Sequence, residues 1–313
     1  MRRRYLCGAL VAVLATAAAL SAAASPAATH SSMKLAKPTV MRVFKGKGSR
    51  PARPRRTNNL SYRGGVGGIG VETAPKVYLV LWGSQWNGND PSGESALLQS
   101  FFGAVGGSPW VNSVTQYCQG VPSGTTTCPP GSAFAGGGVT FGSGQVWADN
   151  GSAAPAHPTQ SQLAAEAVAA ANKFGNTTSG SNQTVQYVIA TSTGDSSSGF
   201  GTQYCAWHSS TSSSYGNIAY TNLPYITDAG ASCGANFNNL GANAGITIVE
   251  GHEMAETITD QFPNGGWLDG SGEENGDKCA WSSATSNQLM GGGKSFPVQP
   301  LWSNASSSCV LSY

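Results

Sequence analysis

Gly251-His252-Glu253-Met254-Ala255-Glu256-Thr257-Ile258-Thr259-Asp260 is the run whose reading decides the fold. It lies in a stretch, Ala242 to Asp260, with Ile246, Val249 and Met254 among its apolar positions and Pro263 beyond its end, so the spacing predicts a helix. On a helix, residues four apart share a face about 6 Å apart along the axis. An H-E-x-x-E sequence therefore aims His252 and Glu256 at one cation and sets Glu253 beside them, pointing at the cation's water. Eight of the fifteen acidic residues fall between Glu250 and Asp277. So many carboxylates repel one another unless a cation or solvent intervenes. Asp260 continues the stripe but stands about 12 Å from His252 along the axis, which suits closing the helix end better than sharing the ion.

Working outward, Val77-Tyr-Leu-Val-Leu-Trp82 is a continuous apolar run of strand length, the pattern of a strand buried on both faces. Glu94 to Val105 has helical spacing. Thr159 to Phe174 is the clearest helix, because Thr159 with Gln162 forms a capping box and Gly175 supplies the stop. Thr184 to Thr191 reads as a second strand and Asn217 to Tyr220 as a short third. Strand, helix, helix, strand, short strand, helix is an α/β order. Abundant glycine (42 residues) and serine, with only 10% charge, predict a loop-rich chain.

The N-terminus has its own character. Residues 1–28 read as a secretory signal: Arg2, Arg3 and Arg4, an apolar run to Leu20, then Ala22-Ala23-Ala24. Export into an oxidising compartment makes the six remaining cysteines candidates for three disulfides, and the nearest-neighbour choice is Cys118–Cys128, Cys205–Cys233 and Cys279–Cys309. Residues 29–58, basic and proline-bearing, lack the pattern of a folded element and read as a disordered arm or propeptide that could be cut near Arg55-Arg56. Residues 59–313 form a single domain. All acidic residues lie at or after Glu72, and from Gly64 onward four basic residues face fifteen acidic ones. A domain that acidic repels phosphates, which argues against nucleic acid. Beyond the signal no segment is apolar for long enough to span a bilayer.

His252, Glu253 and Glu256 leave a third ligand to be found. Glu273, Glu274 and Asp277 follow at suitable distance, and His208, in Tyr204-Cys-Ala-Trp-His208, is a further candidate as ligand or as a donor to the transition state. His157, beside Pro158, reads as a surface residue. A cation here would lower the pKa of its water, with Glu253 taking the proton, which is the chemistry of peptide hydrolysis. Zinc is the expected ion, with manganese and calcium as alternatives, since Glu256, Asp260, Asp269, Glu274 and Asp277 are hard oxygen donors. The plainer alternative is a solvated acidic helix face with His252 hydrogen-bonded. Trp267, Trp281 and Trp302 flank the acidic region and suit core packing or a cleft wall.

Two resemblances extend this reading. The element order is similar to the zincin metallopeptidase core, a small mixed sheet in which an edge strand precedes the metal-binding helix and lines the substrate cleft. Within zincins, gluzincins place a ligand Glu about eighteen residues after the helix acid, followed by a supporting Asp. This likeness implies Glu274 as ligand and Asp277 as acceptor for the His252 ring N–H, with Glu273 as a substitute for Glu274. Separately, Leu60-Ser-Tyr-Arg-Gly-Gly65, Val77 to Trp86, Tyr204 to His208, Thr257 to Gly265 and Gln299-Pro-Leu-Trp302 resemble, in order, blocks of the plant EXORDIUM or phosphate-induced protein 1 family. That resemblance implies a protein of the cell wall or extracellular space. The plant pattern lacks the His-Glu pair, whereas the fuller run here is similar to exported bacterial proteins described as candidate metallopeptidases. The expectation is a secreted endopeptidase acting on peptide or protein substrates. Its rival is a non-catalytic extracellular protein whose acidic patch binds calcium or nothing.

Overall fold

The computed structural model describes residues 33–46 and 59–313. The expected signal peptide, and residues 29–32 and 47–58 of the expected arm, lie outside the described residues. A six-stranded mixed sheet forms the centre, from β1 (Thr39–Arg42), β2 (Lys76–Trp82), β3 (Val146–Asp149), β4 (Val185–Thr191), β5 (Tyr204–Ser213) and β6 (Gly216–Leu223), in the spatial order β1-β5-β6-β4-β2-β3. β3, β2, β4 and β6 run parallel, and β5 and β1 pair antiparallel at one side.

The alternation of β2 explains the layering. Val77, Leu79 and Leu81 enter one buried cluster and Tyr78 and Val80 another, so the strand is covered on both faces. One face carries α2 (Gln160–Lys173), which packs Leu163, Ala164, Ala167, Ala170 and Ala171 against Tyr78, Tyr187 and Tyr220. The other carries α1 (Glu94–Val105) and α3 (Ala244–Thr259), whose Ile246, Val249, Met254 and Ile258 join the larger core with Phe101, Trp110 and Trp267. Each fully buried side chain of this size contributes about 1.5–3 kcal/mol relative to exposure.

Helix α2 starts as its sequence dictates: both arms of the Thr159–Gln162 capping box are formed. Gly175 follows its end at φ 76°, a left-handed conformation that costs glycine nothing. The expected disulfides form in the nearest-neighbour pairing. Cys205–Cys233 ties β5 to the approach to α3, and Cys279–Cys309 ties the acidic loop to the C-terminal strand, closing loops of 28 and 30 residues. By loop entropy each stabilises by about 3–4 kcal/mol. Among the described residues no helix is long and apolar enough to cross a membrane.

Two departures from the sequence reading bear on the site. β5 reads YCAWHSSTSS, and its serines and threonines hide a ten-residue strand that is buried over its first eight positions. It precedes and pairs with the expected Asn217–Tyr220 strand, which is present and longer than expected, as Gly216–Leu223. Thr39–Arg42 falls inside the stretch expected to be a disordered arm, yet it adds an edge strand to β5. Its apolar residues alternate: Met41 and Val43 are buried in the larger core, while Val40 packs on the opposite cluster. The lysines and arginines around them masked this period-two signal.

Candidate metal centre

Helix α3 is buried along its whole length, charged residues included. Two glycines permit this. A Cβ on Gly245 would lie 2.0 Å from the Cys233 carbonyl oxygen, and one on Gly251 would lie 3.1 Å from the Trp110 ring. The helix is thus drawn inward until His252, Glu253 and Glu256 lose all contact with solvent. Burying ions costs several kcal/mol each unless opposite charge is close, so the partners of these groups define what the site can hold.

Two triads share Glu256. In one, potential ligand atoms of His252, Glu256 and Asp277 lie within 4.8 Å of one another; in the other, those of His208, Glu253 and Glu256 do. His252 Nε2 stands 3.1 Å from Glu256 Oε1 and 3.9 Å from Asp277 Oδ1. On the far side, His208 Nε2 stands 3.6 Å from Glu256 Oε2 and 3.1 Å from Glu274 Oε2. Sequence separation hides this convergence: α3 brings His252, Glu253 and Glu256, β5 brings His208, and the loop after Trp267–Leu268 brings Glu274 and Asp277.

A side chain that the sequence reading gave no role orients the imidazole. Gln299 donates from Nε2 to the Gly276 carbonyl at 2.8 Å, so its Oε1 faces His252 Nδ1 at 3.3 Å. Nδ1 must then carry a ring proton and donate it, so Nε2 is the ring atom turned toward the oxygens of Glu256 and Asp277. That nitrogen, Glu256 Oε2 and Glu253 Oε2 make no hydrogen bond. Gly276 supplies the room: a Cβ there would lie 2.8 Å from His252 Nδ1 and 2.9 Å from Glu256 Oε1. The Asp277 backbone N–H donates to Glu256 Oε1 at 2.8 Å and holds that carboxylate in place.

Charge in this enclosed space is strongly coupled. For His252, burial alone would lower the pKa, but the Glu256 carboxylate outweighs it and carries the imidazole up to about 9. Burial likewise opposes ionisation of Glu256, yet the two imidazoles bring it down to about 2. Glu253 is pushed up to about 8, chiefly by burial, and Asp277 to about 7 by burial and by Glu256. His208 is raised because Glu274 and Glu256 overcome the opposing effect of burial. One imidazole and carboxylate oxygens converging in each triad are a donor set that could hold a divalent cation, which would take the place of the proton on His252.

The expected residues are therefore all brought to the same region, though with different partners. Glu274 belongs to neither triad and faces His208; Asp277 stands on the Nε2 side of His252, and Gln299 faces its Nδ1. Asp260 closes the helix end, accepting from the backbone N–H groups of Asn264, Gly265 and Gly266. His157 is exposed. Trp267 and Trp302 are core residues, and Lys278 sits 4.3 Å over the Trp302 ring while pairing with Asp269. Gly276, Gln299 and Met41, whose N–H donates to Glu253 Oε1 at 3.3 Å, were missed. Only Gln299 carried a signal, as a polar residue within an otherwise apolar Val298-Gln-Pro-Leu-Trp302 run.

Comparisons with protein-family models, with curated proteins and with solved structures find no match to this chain.

Proposed function

We propose that this chain is an exported, metal-dependent endopeptidase with a zincin-like core, its cation, zinc in the first instance, held by His252, Glu256 and Asp277. One observation carries the reading. Nε2 of His252, its ring oriented by Gln299, faces two carboxylates, the fully buried Glu256 and the partly exposed Asp277, with a third, buried carboxylate, Glu253, alongside. The antiparallel strand β5, ahead of the helix that bears the donors, supports the zincin likeness. Its three disulfides suit an extracellular setting, where peptide or protein substrates, including those of a cell wall, would be met.

When bound, the cation would polarise a peptide carbonyl and acidify a water. Burial raises Glu253 to about 8, and a cation bound beside it would favour its carboxylate form, which would accept that water's proton and return it to the leaving nitrogen. The buried His208, between Glu274 and the other oxygen of Glu256, would balance charge beside that carboxylate.

The test pairs elemental analysis of the purified full chain with a Glu253→Gln variant in a broad peptide-cleavage assay. Expected are one zinc per chain in both proteins and a fall in hydrolysis of about 10²–10⁴-fold in the variant. Absence of any transition metal, or cleavage indifferent to Glu253, would defeat the proposal in favour of a calcium-binding or metal-free extracellular protein.

A further inference from the structure

The base Glu253 is 0% exposed, and what covers it is the chain's own N-terminal strand. β1 lies antiparallel along the outer edge of β5, with Thr39 opposite His208, Val40 opposite Trp207 and Met41 opposite Ala206. Backbone bonds continue the pairing outward: Ala36 N–H donates to the Ser210 carbonyl at 2.8 Å and Ser212 N–H to the Lys34 carbonyl at 3.1 Å. Beyond Met41, Trp281 Nε1–H donates to the Arg42 carbonyl at 2.6 Å, and Phe44 is packed edge-on against Phe237 and beside Trp281. The Met41 side chain is completely buried.

Three features set β1 apart from the other strands. Among the strands of the sheet it is the one that pairs with β5 alone, so the remaining five strands form a continuous sheet without it. Its removal would expose the N–H and C=O groups of β5, a template on which an extended peptide can add as a strand. And the Met41 nitrogen stands 3.3 Å from Glu253 Oε1, where the nitrogen of a cleaved bond must stand to receive its proton from that carboxylate.

We propose that residues 34–44 are a built-in occupant of the peptide cleft, holding the protein latent in the manner of a bound substrate. Met41 fills the subsite that would select a large apolar side chain on the residue contributing the leaving nitrogen. The inference takes the role of Glu253 from the hydrolase reading and adds the occupant, the strand direction and the side-chain preference. In the reaction so framed, water contributes its hydroxyl to the carbonyl carbon, the C–N bond breaks, and the water's proton passes through Glu253 to the nitrogen, giving a carboxyl and an amine.

The experiment uses zinc-loaded full chain and a labelled decapeptide copying residues 35–44, Leu-Ala-Lys-Pro-Thr-Val-Met-Arg-Val-Phe. Met41→Asp places a charge in the apolar subsite and should eject the strand. Trp281→Ala loosens the same strand without touching a metal donor. Anisotropy should show both variants binding the decapeptide at least about tenfold more tightly than wild type, and binding a copy with Asp in place of Met at least about tenfold more weakly. Both variants should also cleave peptides faster than wild type. Equal decapeptide binding by all three proteins, or indifference to the Met-to-Asp change, overturns the inference. If Met41→Asp does not fold, Trp281→Ala decides on the same two criteria. Tight decapeptide binding with no cleavage by any form keeps the occupant and sinks the hydrolase; equal cleavage by all three forms does the reverse.

Discussion

Helices α2 and α3 cover opposite faces of one sheet and obey different rules. α2 keeps one apolar stripe inward, alanine after alanine, turns its polar residues out, and begins and ends with local capping chemistry. α3 has no outward face at all. It buries three carboxyl side chains and an imidazole, and no side chain caps its start: Asn243 there donates to the Ser92 carbonyl instead. The first helix is what propensity and patterning produce unaided. The second is stable only because β5, the acidic loop and the Gln299 segment bring partners from far along the chain, which is how a fold keeps groups that are useful and costly together.

The sharpest way to break this contrast is a crossed pair of substitutions. His252→Ala should weaken zinc binding by more than the about 10–100-fold typical of a supporting residue, because it deletes a donor outright. Leu163→Ala on α2 should leave zinc binding unchanged and cost about 2–5 kcal/mol of stability. Zinc titration and denaturant unfolding of both variants measure the four quantities. A zinc defect in Leu163→Ala, or intact zinc binding in His252→Ala, would erase the distinction.

A smaller effect tests whether the metal side depends on support from a distance. Gln299→Leu removes the acceptor that fixes the His252 tautomer, and Gly276→Ala presses a methyl onto the imidazole and onto Glu256. Each should lower zinc affinity about 10–100-fold with the fold retained. Affinity unchanged in both would mean that His252 is not oriented for a ligand.

The same contrast explains what the sequence disclosed. The start of α2 could be read to within a residue because Thr159, Gln162 and Gly175 carry local signals, and the β2 run declared a strand covered on both faces. His252, Glu253 and Glu256 were legible because their mutual spacing is a property of one helix. Everything that depends on distant contacts was hidden. β5 is buried through serine and threonine, so no apolar period marks it; β1 is disguised by lysines and arginines; and the positions of Glu274 against His208 and of Asp277 and Gln299 about the His252 ring depend on a loop path that spacing does not encode. The N–H of Met41 is a backbone group and leaves no trace in residue type.

The α2 side has one exception to its ordinary character, and pH exposes it. Glu166 is held up to about 8 by burial and by Asp149 beside it. In the unfolded chain it ionises near its usual value of 4.5. Below that, both states hold the proton and stability is complete; between about 4.5 and 8 the folded state retains a proton that the unfolded state has released, so stability falls as pH rises. Glu166→Gln should flatten that part of the profile by about 2 kcal/mol once solvent screening of the pair is counted. Parallel urea titrations at pH 5 and pH 9 isolate it, since other buried acids contribute equally to both proteins. An identical pH slope in the variant would show that Glu166 ionises freely.

The smallest expected effect concerns the helix starts. Thr159 Oγ1 accepts from the Gln162 N–H while Gln162 Oε1 accepts from the Thr159 N–H, so Thr159→Ala removes half of a reciprocal pair. The cost should be about 1 kcal/mol, read as a lower denaturation midpoint with an unchanged slope and unchanged zinc affinity. Asn243→Ala at the start of α3 should not behave as a cap deletion, because its amide already serves Ser92 across the core. The loss there should appear as looser docking of α1 against α3, visible as faster hydrogen exchange near Ser92 rather than as fraying of the α3 first turn. If the α3 first turn frays in Asn243→Ala as the α2 first turn does in Thr159→Ala, both helices begin by the same local device and tertiary contacts are not what starts α3.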